Sequence, residues 1–200
     1  MSMEEASFLE PLSVALHACR KANIGIGNKV LVLGAGPVGL ISMMIAKSTN
    51  ATMTLITDIM DHRLKIAKEV GADETINVKD LSIQDATRII VEKLDDEAPD
   101  VVIECCGAQS SIELAIKAVK DGGKIVLVAL GAEYVSIPIL EVVAKRSISR
   151  VWPAAIEMIR SGKIKLDKLT LAHYKLDQAI EAFKYAKTGE AIKVFINCAC

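Results

Sequence analysis

Between residues 29 and 130 the chain alternates two kinds of hydrophobic pattern. Short, nearly unbroken apolar runs, KVLVLG (29–34), TMTLITD (52–58), DVVIEC (100–105) and GKIVLVAL (123–130), are each followed or preceded by stretches in which apolar positions recur every three or four residues. The runs have strand length, are rich in β-branched residues and lack polar alternation, the pattern of strands covered on both faces. ETINV (74–78) adds a fifth, weaker strand. The helical periodicity predicts helices from Pro37 to about Ser48, from Asp61 to Val70, near 82–94 and near 109–120. Strand, helix, strand, helix with short connections predicts an α/β fold, a doubly wound parallel sheet of the Rossmann kind.

The flanks read differently. FLEPLSVALHACRKA (8–22) is a helical pattern opened by Pro11 and reads as a linker helix ahead of the sheet domain. After residue 144, AKRSISRV holds a short strand, PAAIEMIRSG a helix opened by Pro153, DQAIEAFKYAKTG a helix ended by Gly189, and IKVFINC a final strand. The expected division is a linker helix over 1–23, the sheet domain over 24–151 and a helix–strand tail over 152–200 that is an appendage without a core of its own.

Composition narrows the function. With 52% hydrophobic residues and a mean hydropathy of +0.36, a 200-residue chain fills a core easily. The net charge is -1, so no broad field draws the protein to nucleic acid or to an anionic membrane, and a small molecule is the expected partner. MSMEEASFLEP has neither the basic nor the apolar region of a signal peptide, and no apolar run approaches a membrane span, which predicts a cytoplasmic protein. Five cysteines, Cys19, Cys105, Cys106, Cys198 and Cys200, form no metal-ligand spacing and read as free thiols of a reducing compartment.

The chemistry concentrates in LVLGAGPVGL (31–40). Gly34, Gly36 and Gly39 stand in G-x-G-x-x-G spacing directly after a strand and at the opening of a helix. In such a turn the first glycine makes the tight bend, the second lets a pyrophosphate approach the backbone and the third lets the helix lie against the strand. Pro37 suits the first helical turn, which needs no amide donor there, and the helix N-terminus offers its free N–H groups to an anion. Asp58 closes the second strand 19 residues after Gly39, where a carboxylate can accept the hydroxyls of an adenosine ribose. It would repel the 2′-phosphate of NADP, and Ile59 beside it supplies no cation, so NAD is the favoured cofactor. Alternative readings are a glycine turn that only closes the βα unit and an acid that only caps the next helix. Arg63 either lies against the adenosine or is solvated on its helix. A methyltransferase turn would follow a strand-end acid, and a flavin enzyme would carry a later Gly-Asp pair; the chain has neither.

Taken together, EEASFLEPLSVALHACRKANI, GNKVLVLGAGPVGL, TDIMDHRLKIAKEVGAD, VVIECCGAQSSI and GGKIVLVALG resemble the zinc-containing medium-chain alcohol dehydrogenases, the sorbitol (polyol) dehydrogenases above all. The resemblance implies oxidation of a secondary hydroxyl of a polyol, with hydride passing to NAD while zinc holds the alcohol oxygen. It implies cofactor contacts at Val38, Asp58, Arg63, Val128, Ala129 and Leu130, with Cys105 and Cys106 packing the cofactor floor. Ala129 departs from the family's usual glycine and would crowd the nicotinamide side; Cys106 stands where Thr is frequent. Glu10 matches a glutamate that faces the catalytic zinc and its bound water or substrate. The other zinc ligands, a cysteine and a His-Glu pair, belong to an N-terminal catalytic domain that this sequence lacks, and the stretch from Ile148 to Trp152 is shortened. The resulting expectations are a chain that binds NAD, holds no complete zinc site, does not turn over polyols alone, and whose homo-oligomeric edge is compromised. A non-catalytic NAD-binding module or sensor is the alternative.

Overall fold

A computed structural model describes residues 8–145, 161, 172–188 and 194–198. The described residues fall into two compact units, one within residues 1–147 and one within 148–200.

The first unit runs α1 (Leu9–Ala22), β1 (Lys29–Leu33), α2 (Pro37–Ser48), β2 (Met53–Asp58), α3 (Asp61–Glu69), β3 (Glu74–Asn77), α4 (Ile83–Lys93), β4 (Val101–Glu104), α5 (Gln109–Ala118), β5 (Lys124–Leu127) and α6 (Ile139–Ala144). The five strands are all parallel and lie in the order β3-β2-β1-β4-β5. The order reverses between β1 and β4, which opens a crevice at the carboxyl ends of those strands. The expected doubly wound parallel sheet is present.

Alternation along β1 shows how the two faces are covered. Val30 and Val32 join Ala18, Cys19 and Ala22 of α1, Met43 and Ala46 of α2, and Leu64 and Ala67 of α3 in one core. Leu31 and Leu33 point the other way, toward Ala86, Ile90 and Leu94 near α4 and Leu114, Ala115 and Ala118 of α5. All five β1 residues are buried, which is why the strand reads as a continuous apolar run. In α1 the buried positions Ala15, Ala18, Cys19 and Ala22 follow helical spacing, and their small side chains let α1 lie close over α2.

Helix starts differ in how their free N–H groups are met. Ser82 caps α4, its Oγ accepting the Asp85 N–H at 3.1 Å. Gly36, the N-cap of α2, provides no side chain, and α2 carries no acid in its first turn.

Three elements differ from expectation. The apolar run 123–130 is strand only to Leu127: the Val128 N–H makes the last ladder bond to the Glu104 carbonyl at 2.9 Å, and the Ala129 N–H turns back to the same oxygen at 3.3 Å. The six-residue helix α6 was not expected, its β-branched ILEVVA being too short for periodicity to declare a helix. In the second unit, β6 (Ala172–Lys175) pairs in parallel with β7 (Val194–Asn197), and a 3₁₀ turn (Leu176–Gln178) leads into α7 (Ala179–Thr188). β6 was not expected either, since AHYK is short and half polar. The strand expected in AKRSISRV after Lys145 and the helix at Pro153 lie outside the described residues. Among the described residues no helix is long and apolar enough to cross a membrane.

Candidate functional site

β1 ends in a turn that only glycine fills without strain. Gly34 takes φ +99°, and its N–H donates to the Thr57 carbonyl at 2.8 Å, which ties the turn to β2. A Cβ on Gly34 would stand 2.7 Å from Cys106 Sγ, so the β4–α5 loop lies directly against the turn. A Cβ on Gly39 would stand 1.9 Å from the Gly34 carbonyl oxygen, closer than any side chain can come. Helix α2 can approach β1 only with glycine there. Gly36 is different: nothing lies within 4 Å of its Cβ direction. The space over Gly36 is open, and behind Pro37, which has no N–H, the first-turn N–H groups of Val38 and Gly39 have no intrahelical acceptor.

Asp58 meets this turn from β2. Its Oδ2 accepts the Ala35 N–H at 2.8 Å and stands 3.6 Å from Arg63 Nη1; its Oδ1 accepts the Met60 N–H at 3.0 Å. The carboxylate is fixed against the turn after β1, and only 7% of the residue is exposed. Two carboxylate oxygens offer about four acceptor positions, which the two backbone N–H groups do not exhaust. Arg63 is half exposed beside it, and Ile59 and Met60 form an exposed apolar lip next to the acid.

Across the switch point, β4 ends at Glu104, Cys105 and Cys106. The Cys105 N–H donates to the Leu33 carbonyl at 2.8 Å, and burial, reinforced by the Glu104 charge, pushes its thiol up to about 12. Such a thiol is no nucleophile at neutral pH. Burial likewise raises Cys19 to about 11. Cys106 is exposed at the mouth of the crevice. After β5, Val128 and Ala129 are half-buried and Leu130 is fully exposed.

Glu10 lies in the first turn of α1 on an exposed face. Three and four residues on, Ser13 and Val14, and then His17, line a cleft of about 390 Å³ with Val126, Leu127 and Val128. His17 is exposed at that cleft. Among the described residues no three His, Cys, Asp or Glu side chains gather as a metal-binding group, so the donor set at Glu10 does not fit a zinc ion and no step is derived through one.

Sequence reasoning passed over one residue of this edge. Glu104 is 1% exposed, and its carboxylate accepts the N–H groups of Cys106 at 2.7 Å and Gly107 at 2.9 Å and the Ser111 hydroxyl at 2.6 Å. The signal was available: an acid at a strand end, a glycine three residues later and a hydroxyl four beyond that.

A five-stranded parallel sheet with a switch point between β1 and β4, and a glycine turn at that point, defines a Rossmann-like, doubly wound domain. Residues 37–160 match the family described as zinc-binding dehydrogenase, and the chain belongs to that family. Over 99% of its length it is 41% identical to sorbitol dehydrogenase of Mus musculus, covering 57% of that protein. Among solved structures it is similar to 2R,3R-butanediol dehydrogenase from Bacillus subtilis, with 26% identity and a TM-score of 0.62 over the whole chain and 59% of the other. It is also similar to an alcohol dehydrogenase from E. coli CFT073 complexed with NADH, with 25% identity and a TM-score of 0.61 over 92% of this chain and 56% of that one. The chain thus spans somewhat over half the length of the relatives it matches.

Proposed function

We propose that this chain is an NAD-binding oxidoreductase unit of the polyol dehydrogenase type, in which a secondary alcohol would give up hydride to NAD. The observation that carries the reading is the pairing of an open Gly36 at the start of α2 with the Asp58 carboxylate in the same turn. A pyrophosphate would lie over Gly36, Pro37 and Val38, held by first-turn N–H groups and the positive end of the helix. Asp58 would accept a ribose hydroxyl on its outward side, and the Ile59–Met60 lip would pack against the adenine. The absence of a cation at position 59 and the acid at 58 favour NAD over NADP by charge alone. Arg63, 3.6 Å from Asp58, would steady that carboxylate rather than recruit a phosphate.

The nicotinamide half would then cross the switch point toward Cys105, Val128, Ala129 and Leu130. Bound there, NAD supplies an acceptor for the hydride of a carbinol carbon. The protein's own part is to hold the two halves of the cofactor at a fixed separation, with the Ala129 methyl group narrowing the space beside the ring. Glu10, on the same side of the sheet domain as the cleft between α1 and the end of β5, would face the substrate. Calorimetric titration of the 200-residue chain with NADH and NADPH tests the reading: NADH binding with NADPH weaker by about tenfold or more is expected from one unfavourable charge contact. NADPH binding as tightly as NADH, or no binding of either, would reject it.

A second reading, a non-catalytic NAD-binding module, is favoured by the isolated position of Glu10 among the described metal-ligating side chains. On that basis the purified chain supplied with zinc is proposed not to oxidise sorbitol. Turnover of NAD in that assay would remove the second reading and leave the first.

A further inference from the structure

A carboxylate buried as deeply as Glu104 is costly unless each oxygen is bonded, and among the described residues no lysine or arginine pairs with it. Its charge is met instead by the N–H groups of Cys106 and Gly107 and by the Ser111 hydroxyl, at the start of α5. The same residue's carbonyl accepts the N–H groups of Val128 and Ala129. Glu104 therefore grips two loops at once, the one after β4 with its side chain and the one after β5 with its backbone.

The two loops also meet directly. Gly107 takes φ +72°, and a Cβ added at Gly131 would stand 2.0 Å from the Gly107 carbonyl oxygen and 3.1 Å from its Cα. Backbone lies on backbone with no room for a side chain between. The height of residues 128–131 above the sheet is thus set by the position of Gly107, and the position of Gly107 by the Glu104 carboxylate.

We propose that Glu104 is a positioning residue for the nicotinamide half of the cofactor, acting through Gly107 and Gly131 on the segment 128–131. The proposal rests on the NAD-binding reading above. In a doubly wound fold the dinucleotide spans the switch point; its adenosine half falls to Asp58 on the β2 side, and its other half falls to the loops after β4 and β5. Glu104 itself touches no cofactor atom, because its carboxylate is enclosed by its own loop.

The test is titration of the full chain with NADH and, separately, with ADP-ribose, which lacks the nicotinamide. Glu104→Gln keeps the shape but turns one oxygen into a donor that faces N–H groups. It is expected to weaken NADH by about tenfold or more while ADP-ribose stays within about twofold, because a lost charged hydrogen bond acts on one side of the crevice only. Gly131→Ala, which leaves Glu104 intact and pushes the same segment from the other side, is expected to shift the ratio in the same direction. A general loss of structure would lower both affinities together. Equal weakening of both ligands in both variants, or an unchanged ratio in both, overturns the proposal. Failure of the unmodified chain to bind ADP-ribose overturns the NAD-binding reading instead, so the two failures are distinct.

Discussion

The two strand-to-helix turns at the switch point are built from similar parts, and each gives backbone N–H groups to a carboxylate, but one is open above its helix start and the other is packed against a neighbouring loop. After β1, Gly34 bends the chain at φ +99°, Gly36 leaves open space and α2 starts with no acid and no capping side chain. After β4, Gly107 bends the chain at φ +72°, yet the Glu104 carboxylate already occupies the N–H groups ahead of α5. A helix start is an anion site by default. After β1 the space over Gly36 is open at the helix start, whereas the loop after β4 lies backbone to backbone against Gly131 and gives its Cys106 and Gly107 N–H groups to Glu104.

The largest effect that would sharpen the contrast lies in the open turn. Gly39→Ala sets a methyl carbon against the Gly34 carbonyl, backbone that cannot rotate away, and is expected to cost about 3 kcal/mol or more in urea denaturation. Asp58→Ala comes next: the N–H groups of Ala35 and Met60 lose their acceptor, and a loss of about 2 kcal/mol of stability is expected together with weaker NADH binding.

Gly36→Ala separates binding from folding. Its Cβ meets nothing within 4 Å, so stability should stay within about 0.5 kcal/mol while NADH affinity drops about tenfold as the methyl group enters the anion's space. If affinity is unchanged, the open turn is not where the pyrophosphate lies and the contrast between the two turns loses its functional meaning. Ser82→Ala provides a helix start outside the crevice, with an expected cost of about 1 kcal/mol and unaltered NADH titration.

The smallest effect concerns the closed turn and pH. Folding raises Cys105 from 9.0 to about 12, chiefly through burial, so the folded state favours the neutral thiol. The stabilisation is complete below pH 9 and is lost as pH rises through the interval up to about 12, because the unfolded chain releases the proton first. Cys19, raised from 9.0 to about 11, adds to the same slope. Thermal melts between pH 8 and pH 11 should show the decline, and Cys105→Ala should flatten it in part.

Much of this was legible in the chain because burial on both faces writes itself as unbroken apolar strands, and β1, β2 and β4 are read within a residue or two. The glycine turn and Asp58 were legible because each leaves a mark in residue type: no side chain fits at Gly39, and a short acceptor at the end of β2 takes the Ala35 N–H. What escaped was set by tertiary contact. The run VLVAL looks like strand to its end, but after the ladder bond from Val128 the Ala129 N–H turns back to the same Glu104 carbonyl instead of continuing the strand. Glu104 reads as one more strand-end acid, and only three-dimensional closure shows that it is nearly inaccessible to water. β6 owes its existence to pairing with β7 about twenty residues later in the chain, and local pattern carries no record of that partner.

The meeting of Gly107 with Gly131 has a bearing on descent. Neither position can acquire even a methyl group while the other keeps its place, so substitutions there are expected to arise jointly or with compensating changes in loop length. In homologous sequences the two sites should vary as one character, and a lineage that has lost one glycine should show a remodelled partner.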